Sequence, residues 1–214
     1  MTWEYFWLIL SGIPLTIAVT LAALALGMVL GFPIMLARTA PFVPLRILTI
    51  VFIALVRSVP PVVWIFLIFF GVGADFVQMD PFTAAIVTFG LISAVNMAEI
   101  YRGGFIAVPA GQHEAATALN MSRWNHFRDV TLPQMFIFSL PAIATYAVGL
   151  LKDSAIASTI GLKELTFQGR YVTEMTYKGL EVLGLVGAAY ILMSLPIAWL
   201  SRNLGETLKR RLAR

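Results

Sequence analysis

The chain alternates between long uncharged stretches and short polar ones. The first stretch is the 33 residues between Glu4 and Arg38, none of which carries a charge. Because about 20 helical residues are enough to cross a bilayer, we expect this stretch to divide at residues 12–14. The sequence predicts an aromatic segment over 1–12 that lies in the membrane interface, where Trp and Tyr are enriched. A first transmembrane helix is predicted over 15–36.

Four further stretches are long and apolar enough to cross the membrane. They cover residues 46–70, 81–101, 134–151 and 182–200. The second span is interrupted at 57–61, where an arginine is followed closely by two prolines. In the first span, Gly27 and Gly31 form a small-xxx-small pattern that lets helices approach closely. The sequence therefore predicts an all-α integral membrane protein of about five transmembrane helices, folded as one transmembrane domain over 1–214.

Composition supports lipid as the solvent of this chain. Hydrophobic residues make up 59% of the 214 residues, charged residues only 12%, and the mean hydropathy is +0.87. Soluble domains carry about 25% charged residues. The net charge of +4 is modest, so no nucleic acid partner is expected. The absence of cysteine excludes disulfides and thiolate metal sites. The two histidines, His113 and His126, lie in a polar loop, where we expect exposed side chains rather than a proton relay.

The basic residues indicate an orientation, because Lys and Arg are enriched in cytoplasmic loops. With five spans, one side of the membrane receives Arg38, Arg46, Arg102, Arg123, Arg128, Arg202, Lys209, Arg210, Arg211 and Arg214. The other side receives only Lys152, Lys163, Arg170 and Lys178. The N-terminus is therefore predicted outside, with the loop over 110–133 and the basic tail over 201–214 in the cytoplasm.

No pattern in the sequence indicates an enzyme. The sequence contains no Walker A motif, metal-ligand cluster, nucleophile elbow or dinucleotide-binding loop. Transport and scaffolding are the remaining function classes. A transporter driven by an ion gradient would normally show more spans or an internal repeat. A scaffold that transports nothing would have no need of Arg57 and Glu99 within its spans.

The polar loop over 110–133 has the residue pattern of two short helices that meet at a corner. Residues 112–119 are rich in alanine and favour a helix. Asn120 suits the left-handed turn just past a helix C-terminus. Ser122 can cap a second helix, which we expect to end or bend near Pro133.

Four stretches resemble one known family. Glu114-Ala115-Ala116, Ala118-Leu119, a turn residue, Ser122-Arg123-Trp124 and Val130-Thr131-Leu132-Pro133 resemble the EAA loop of ABC-importer permeases. Three other stretches, at 57–60, 98–104 and 151–161, are similar to the subfamily that imports polar amino acids. The sequence departs from the family at Asn120, where glycine is usual, and at Ala155, where Ser or Thr is usual.

The resemblance implies a MetI-like ABC permease fold in a bacterial cytoplasmic (inner) membrane. It implies a second permease subunit, alike or different, two ATP-binding subunits that hold ATP and Mg²⁺, and an extracytoplasmic amino-acid-binding protein. This chain would have no cofactor and no ATPase site of its own, and membrane lipid would surround it. The residues implied to couple the chain to the ATPase are Gly111, Glu114, Ala115, Ala116, Ala118, Leu119 and Asn120.

Charged and polar side chains within the spans are candidates for the substrate pathway, because charge inside a membrane usually faces a cavity or a partner. The candidates are Arg57, Ser58, Asn96, Glu99, Lys152, Asp153 and Ser154. Arg57 could bind the carboxylate of an amino acid and Glu99 its ammonium group. Alternatively, Arg57 binds carbonyls at the Pro60 break, Glu99 pairs with Arg102, and Lys152 extends toward the membrane surface.

Overall fold

The computed structural model describes residues 3–72 and 77–212, with 204–212 described by their backbone alone. The helices are α1 Trp3–Leu10, α2 Ile13–Thr39, α3 Val43–Ser58, α4 Pro61–Phe66, α5 Pro81–Ile106, α6 Ala110–Ala118, α7 Arg123–Asn125, α8 Leu132–Asp153, α9 Leu165–Thr176 and α10 Gly179–Leu212. A π-helical segment, Leu67–Val72, continues α4, and a second, His126–Thr131, joins α7 to α8. A 3₁₀ segment, Ser154–Ile160, follows α8.

The spans agree with the predicted all-α membrane fold. Four helical stretches of the described chain are long and apolar enough to cross a membrane: Trp3–Thr39, Pro81–Ile106, Arg123–Ile160 and Gly179–Asn203. A fifth candidate is the pair Val43–Ser58 and Pro61–Val72, whose two helices meet at 95°. The break falls inside the predicted interval 57–61. Because of the 95° bend, Arg57 lies at a sharp corner and not within an upright helix.

A tryptophan replaces one of the hydrogen bonds that the prolines remove at this break. Pro60 has no N–H, so in a continuous helix it would leave the carbonyl of Val56 without its usual partner. The indole Nε1–H of Trp64 donates to that oxygen at 3.0 Å. The freed carbonyl is therefore bound by Trp64, and not by Arg57 as one interpretation of the sequence proposed.

Close contact between α2 and α5 forms the centre of the fold. A Cβ atom built at Gly27 would overlap the Cβ of Ser93, and one at Gly31 would lie 2.6 Å from the Cβ of Met97. Neither position therefore has room for a larger residue. The small-xxx-small pattern does what the sequence predicted, since it lets two helices meet almost backbone to backbone.

Helix α5 begins at an aspartate that caps its first turn. Asp80 accepts the backbone N–H groups of Phe82 at 2.9 Å and Thr83 at 3.1 Å, and also the Thr83 hydroxyl at 2.6 Å. These hydrogen bonds lower the pKa of Asp80, and the bond from the Thr83 hydroxyl has the largest effect. The carboxylate satisfies N–H groups that have no partner within the helix, and so fixes where α5 starts.

The N-terminal helix packs with the last two helices. Ile9 of α1 is buried in a cluster with Leu165, Val172 and Val182. Helices α1 and α2, separated only at residues 11 and 12, together form a 37-residue candidate span. This arrangement is more continuous than the predicted separate segment over 1–12, whose interfacial position stays a prediction.

The loop over 110–133 differs from the prediction in its second half. The chain does not leave its helix near Pro133, because α7, the π-helical segment and α8 belong to one 38-residue helical stretch, Arg123–Ile160. Pro133 is accommodated because it lies in the first turn of α8 and directly follows the wider π-helical turns. The tail continues as part of α10 to Leu212, and its side chains beyond Asn203 lie outside the described residues.

Candidate functional site

Helix α6 is an exposed helix between two membrane helices. Six of the seven residues named for ATPase coupling, namely Gly111, Glu114, Ala115, Ala118, Leu119 and Asn120, are exposed, whereas Ala116 is buried. Gly111, Glu114, Ala115 and Ala118 share one face by their helical spacing. Leu119 is 76% exposed and Trp124, just beyond the corner, is 63% exposed. This surface offers small side chains and two unpacked apolar residues to a partner.

The corner after α6 is a Schellman motif built on Asn120. Asn120 has φ of +52°, and its N–H donates to the Thr117 carbonyl at 2.9 Å. The N–H of Met121 donates to the Ala116 carbonyl at 3.0 Å. These two bonds satisfy carbonyls that the helix end would otherwise leave free. Ser122 then caps α7 by accepting a backbone N–H of that helix at 3.2 Å, so both local predictions for this loop are confirmed.

Two side-chain pairs tie α6 to the helix that follows it. Nδ1 of His113 lies 2.9 Å from Nε2 of His126, and Nε2 of the Gln134 side chain donates to Oε1 of the Gln112 side chain at 3.1 Å. The histidines are half-buried and paired, so the prediction that they are exposed loop residues was wrong. The two histidines are 13 positions apart, and the turn at Asn120 brings them into contact. Their spacing in the sequence did not indicate this contact.

Glu99 is the centre of a cluster with two arginines. Its Oε1 lies 3.3 Å from Nε of Arg38, and its Oε2 lies 2.7 Å from Nη2 of Arg102. The Arg102 pairing is one of the alternatives that the sequence left open. The Arg38 pairing was not anticipated, because it needs α2 and α5 to lie side by side. A role of Glu99 in binding substrate stays a prediction.

Within the described chain, no hydrogen bond or ion pair joins the candidates on α3 to those on α5. The side chain of Arg57 is exposed, and Ser58 donates its hydroxyl to the Ala54 carbonyl at 2.7 Å. Asn96 is half-buried and donates to a carbonyl of the preceding turn of α5 at 2.8 Å. Among the residues that the structure describes, Arg57 and Glu99 form no ion pair with each other.

The candidates at the end of α8 separate into exposed and buried groups. Lys152 and Asp153 are exposed, whereas Ser154 is 1% exposed and donates its hydroxyl to the Leu151 carbonyl at 2.7 Å. Lys152 lines a groove of about 500 Å³ between α8 and α10, which also includes Arg202. The arrangement places a cation at this groove and leaves Ser154 facing the interior of the chain.

A buried carboxylate that the sequence analysis did not single out joins three parts of the fold. Glu164 is fully buried and accepts the Phe167 N–H at 2.8 Å, the Tyr190 hydroxyl at 2.8 Å and the Thr16 hydroxyl at 3.4 Å. Burial raises the pKa of Glu164, against the hydrogen bonds that lower it. An acidic residue immediately before a helical stretch is typical of an N-terminal helix signal. The burial of Glu164 could not be predicted from the sequence.

Comparison with known proteins places this geometry in a family. The model of the binding-protein-dependent transport system inner membrane component family matches residues 23–214. The chain is 32% identical over 213 residues to the glutamine transport system permease protein of Escherichia coli (strain K12), covering 97% of each chain. It is 31% identical over 202 residues to the arginine transport system permease protein of Bacillus subtilis (strain 168), covering 94% of this chain and 92% of the relative.

Solved structures agree with this assignment. An amino acid ABC transporter crystallised with histidines superposes with a TM-score of 0.87 at 31% identity, covering 97% of this chain and 95% of that one. An inward-facing structure of the MetNI methionine ABC transporter has a TM-score of 0.81 at 22% identity, covering 97% and 99%, which shows the shared fold. The chain belongs to the family of binding-protein-dependent transport system inner membrane components.

Proposed function

We propose that this chain is the permease subunit of an ATP-driven importer of polar amino acids. The observation that carries the proposal is α6, a small-residue helix that stays exposed and is fixed by a Schellman corner and by the His113–His126 contact. A helix held this firmly outside the bundle suits docking to a second protein. The substrate class follows from the relatives, whose names include glutamine, arginine and cystine permeases.

The proposed complex contains two permease subunits, alike or different, two ATP-binding subunits and an extracytoplasmic binding protein. ATP and Mg²⁺ would be bound by the ATP-binding subunits, and this chain would provide the pathway and not the hydrolysis. The excess of Lys and Arg near one set of loops supports an N-terminus outside and a C-terminus inside. Helix α6 then faces the cytoplasm, where the ATP-binding subunits are.

We place the substrate pathway along the polar side chains of the membrane-spanning helices. Arg57 has no ion pair among the described residues and is exposed at the break between α3 and α4, so its guanidinium can reach a carboxylate. Lys152 and Asp153 are exposed near the groove between α8 and α10. Glu99 and Asn96 would contribute from α5. Charge in a span is costly unless it faces a cavity or a partner, which supports this placement.

The proposal is tested by uptake into vesicles that contain the whole complex. Wild-type uptake of L-glutamine or L-arginine should require the binding protein on one side and ATP on the α6 side, with all ion gradients collapsed. Ala115→Asp should lower uptake at least about tenfold, a loss of about 1.4 kcal/mol in coupling, while membrane insertion stays normal. The reason is that the Asp side chain would enter the docking face of α6.

Asn203→Asp is the matched control, because it introduces the same side chain at an exposed position of α10 and should transport as the wild type does. Normal ATP-driven uptake by Ala115→Asp would overturn the coupling role of α6. Wild-type uptake that needs an ion gradient and no ATP would support a secondary transporter instead. Absence of any amino acid uptake by the wild-type complex would favour the scaffold interpretation.

A further inference from the structure

A small pocket of mixed polar and apolar lining lies where the 3₁₀ segment Ser154–Ile160 meets α9. It has a volume of about 160 Å³ and is lined by Ser158, Phe167, Arg170, Tyr171 and Glu174. None of these residues belongs to the loop over 110–133 or to the predicted substrate pathway. In the proposed topology the pocket faces the outside of the membrane, because it lies beyond the outer end of α8.

Within the part of the chain that the structure describes, the hydroxyl of Ser158 has no hydrogen-bond partner in the protein; the residue is 7% exposed, and its hydroxyl oxygen is not among the fully buried ones. Its neighbours differ: Ser154 donates to the Leu151 carbonyl at 2.7 Å and Thr159 donates to the Ile156 carbonyl at 2.6 Å. Hydroxyls in helices usually bond to a carbonyl of the preceding turn in this way. The side chain of Ser158 lines the pocket instead.

Two residues of opposite charge line the same pocket and do not pair with each other. Arg170 and Glu174 are spaced i,i+4 on α9, both are exposed, and neither forms an ion pair within 4.0 Å among the described residues. The order Arg before Glu is the less favourable one for pairing along a helix. The pocket therefore offers a guanidinium donor, a carboxylate acceptor and an available hydroxyl within one small space.

We propose that this pocket binds the α-amino-α-carboxylate head group of a free amino acid at the outer face. Arg170 and Ser158 would hold the carboxylate, Glu174 would accept from the ammonium group, and Tyr171 would form a wall. The pocket, at about 160 Å³, has room for such a head group, and the side chains named contact that part of the ligand alone. The pocket would thus serve amino acids with different side chains. The inference rests on the proposed import of amino acids.

Protection of a single thiol tests the proposal, since the chain contains no cysteine. Tyr171→Cys places a reporter in the pocket wall without removing Ser158, Arg170 or Glu174. The assembled complex, in lipid nanodiscs without binding protein or ATP, is labelled with a small methanethiosulfonate reagent. With a Kd of about 1 mM, about 10 mM L-glutamine should slow labelling about tenfold. L-Arginine should protect similarly.

The controls separate the head group from general effects. L-Glutamine methyl ester and the analogue without the α-amino group should protect less than about twofold at the same concentration. Thr159→Cys, exposed at the same end of the chain but outside the pocket, should be labelled at one rate with or without ligand. Arg170→Gln and Glu174→Gln, each combined with Tyr171→Cys, should lose protection. When Arg170→Gln or Glu174→Gln is combined with Thr159→Cys instead, the thiol should be labelled at the same rate as in Thr159→Cys alone. An unchanged rate reports an intact fold.

Three outcomes would overturn the inference. The first is no protection by either amino acid, and the second is equal protection by the two analogues. The third is protection that appears only when the binding protein is added, which would make this surface a docking face. Because no transport occurs in this assay, failure of wild-type vesicles to import amino acids would count against the proposed function and not against the pocket.

Discussion

Replacing Gly27 by alanine should destabilise the chain, although alanine is the better helix former. The new Cβ would overlap the Cβ of Ser93 and lie 2.9 Å from its backbone carbonyl carbon. Both atoms belong to the rigid part of α5, so no flexible side-chain end can move aside. Helices α2 and α5 would have to separate along their contact.

The magnitude follows from two opposing terms. Overpacking of a close contact costs about 1–3 kcal/mol, and the rigid neighbours place Gly27 near the upper value. Alanine returns about 1 kcal/mol of helix propensity. The net loss is therefore about 1–2 kcal/mol, which at about 2–4 °C per kcal/mol for a chain of this length lowers Tm by about 2–8 °C.

A matched glycine should show the opposite effect of alanine on Tm. Gly187 of α10 is exposed, and a Cβ atom added there would meet nothing within 4 Å. Gly187→Ala should therefore leave Tm unchanged or raise it by a few degrees, at about 1 kcal/mol. The assay is thermal unfolding of the purified chain in one detergent, followed by size-exclusion chromatography. A Tm for Gly27→Ala equal to or above that of Gly187→Ala would refute the packing argument.

Three further predictions concern the polar sites. Asn120→Gly should preserve coupled uptake in vesicles, whereas Asn120→Val should lower it, because a β-branched residue at a φ of +52° is strained. Glu99→Gln should lower uptake with normal assembly if Glu99 serves the pathway, and failed assembly on size-exclusion chromatography would assign it to structure instead. Because burial raises the pKa of Glu164 above 4.5, the stability from this group is present below its ordinary pKa and is lost as pH rises through the raised pKa. The Tm of the wild type should therefore fall relative to that of Glu164→Gln over that pH interval.

Features that depend on neighbouring residues were predictable from the sequence. Hydropathy indicated the spans, the prolines at 60 and 61 indicated the break between α3 and α4, and Asn120 followed by Ser122 indicated the corner. Each is a property of a few consecutive residues and of backbone sterics. The expectation that the helix ends at Pro133 was wrong for a related reason: proline stops a helix interior, but a change to π-helical winding before it lets the helix continue.

Features that depend on which helices meet were not predictable. The pairing of Arg38 with Glu99 needs the α2–α5 contact, and the burial of Glu164 needs α2, α9 and α10 to pack together. The contact between His113 and His126 needs the turn between them to have one particular geometry. When the segment that each side chain contacts is not known, the sequence around it does not distinguish it from any other polar residue.

The proposed docking helix α6 and the proposed outer pocket lie near opposite ends of one continuous helical stretch. Arg123–Ile160 begins directly after the Schellman corner of the coupling loop and includes Ser158 in the pocket wall. At a rise of 1.5 Å per residue, its 38 residues extend for about 57 Å, enough to join the two faces of a membrane. The His113–His126 contact fixes α6 to the start of this stretch. A displacement of α6 would therefore act on the base of the same helix whose outer end forms the pocket, which gives the cytoplasmic partner a direct physical route to the outer face.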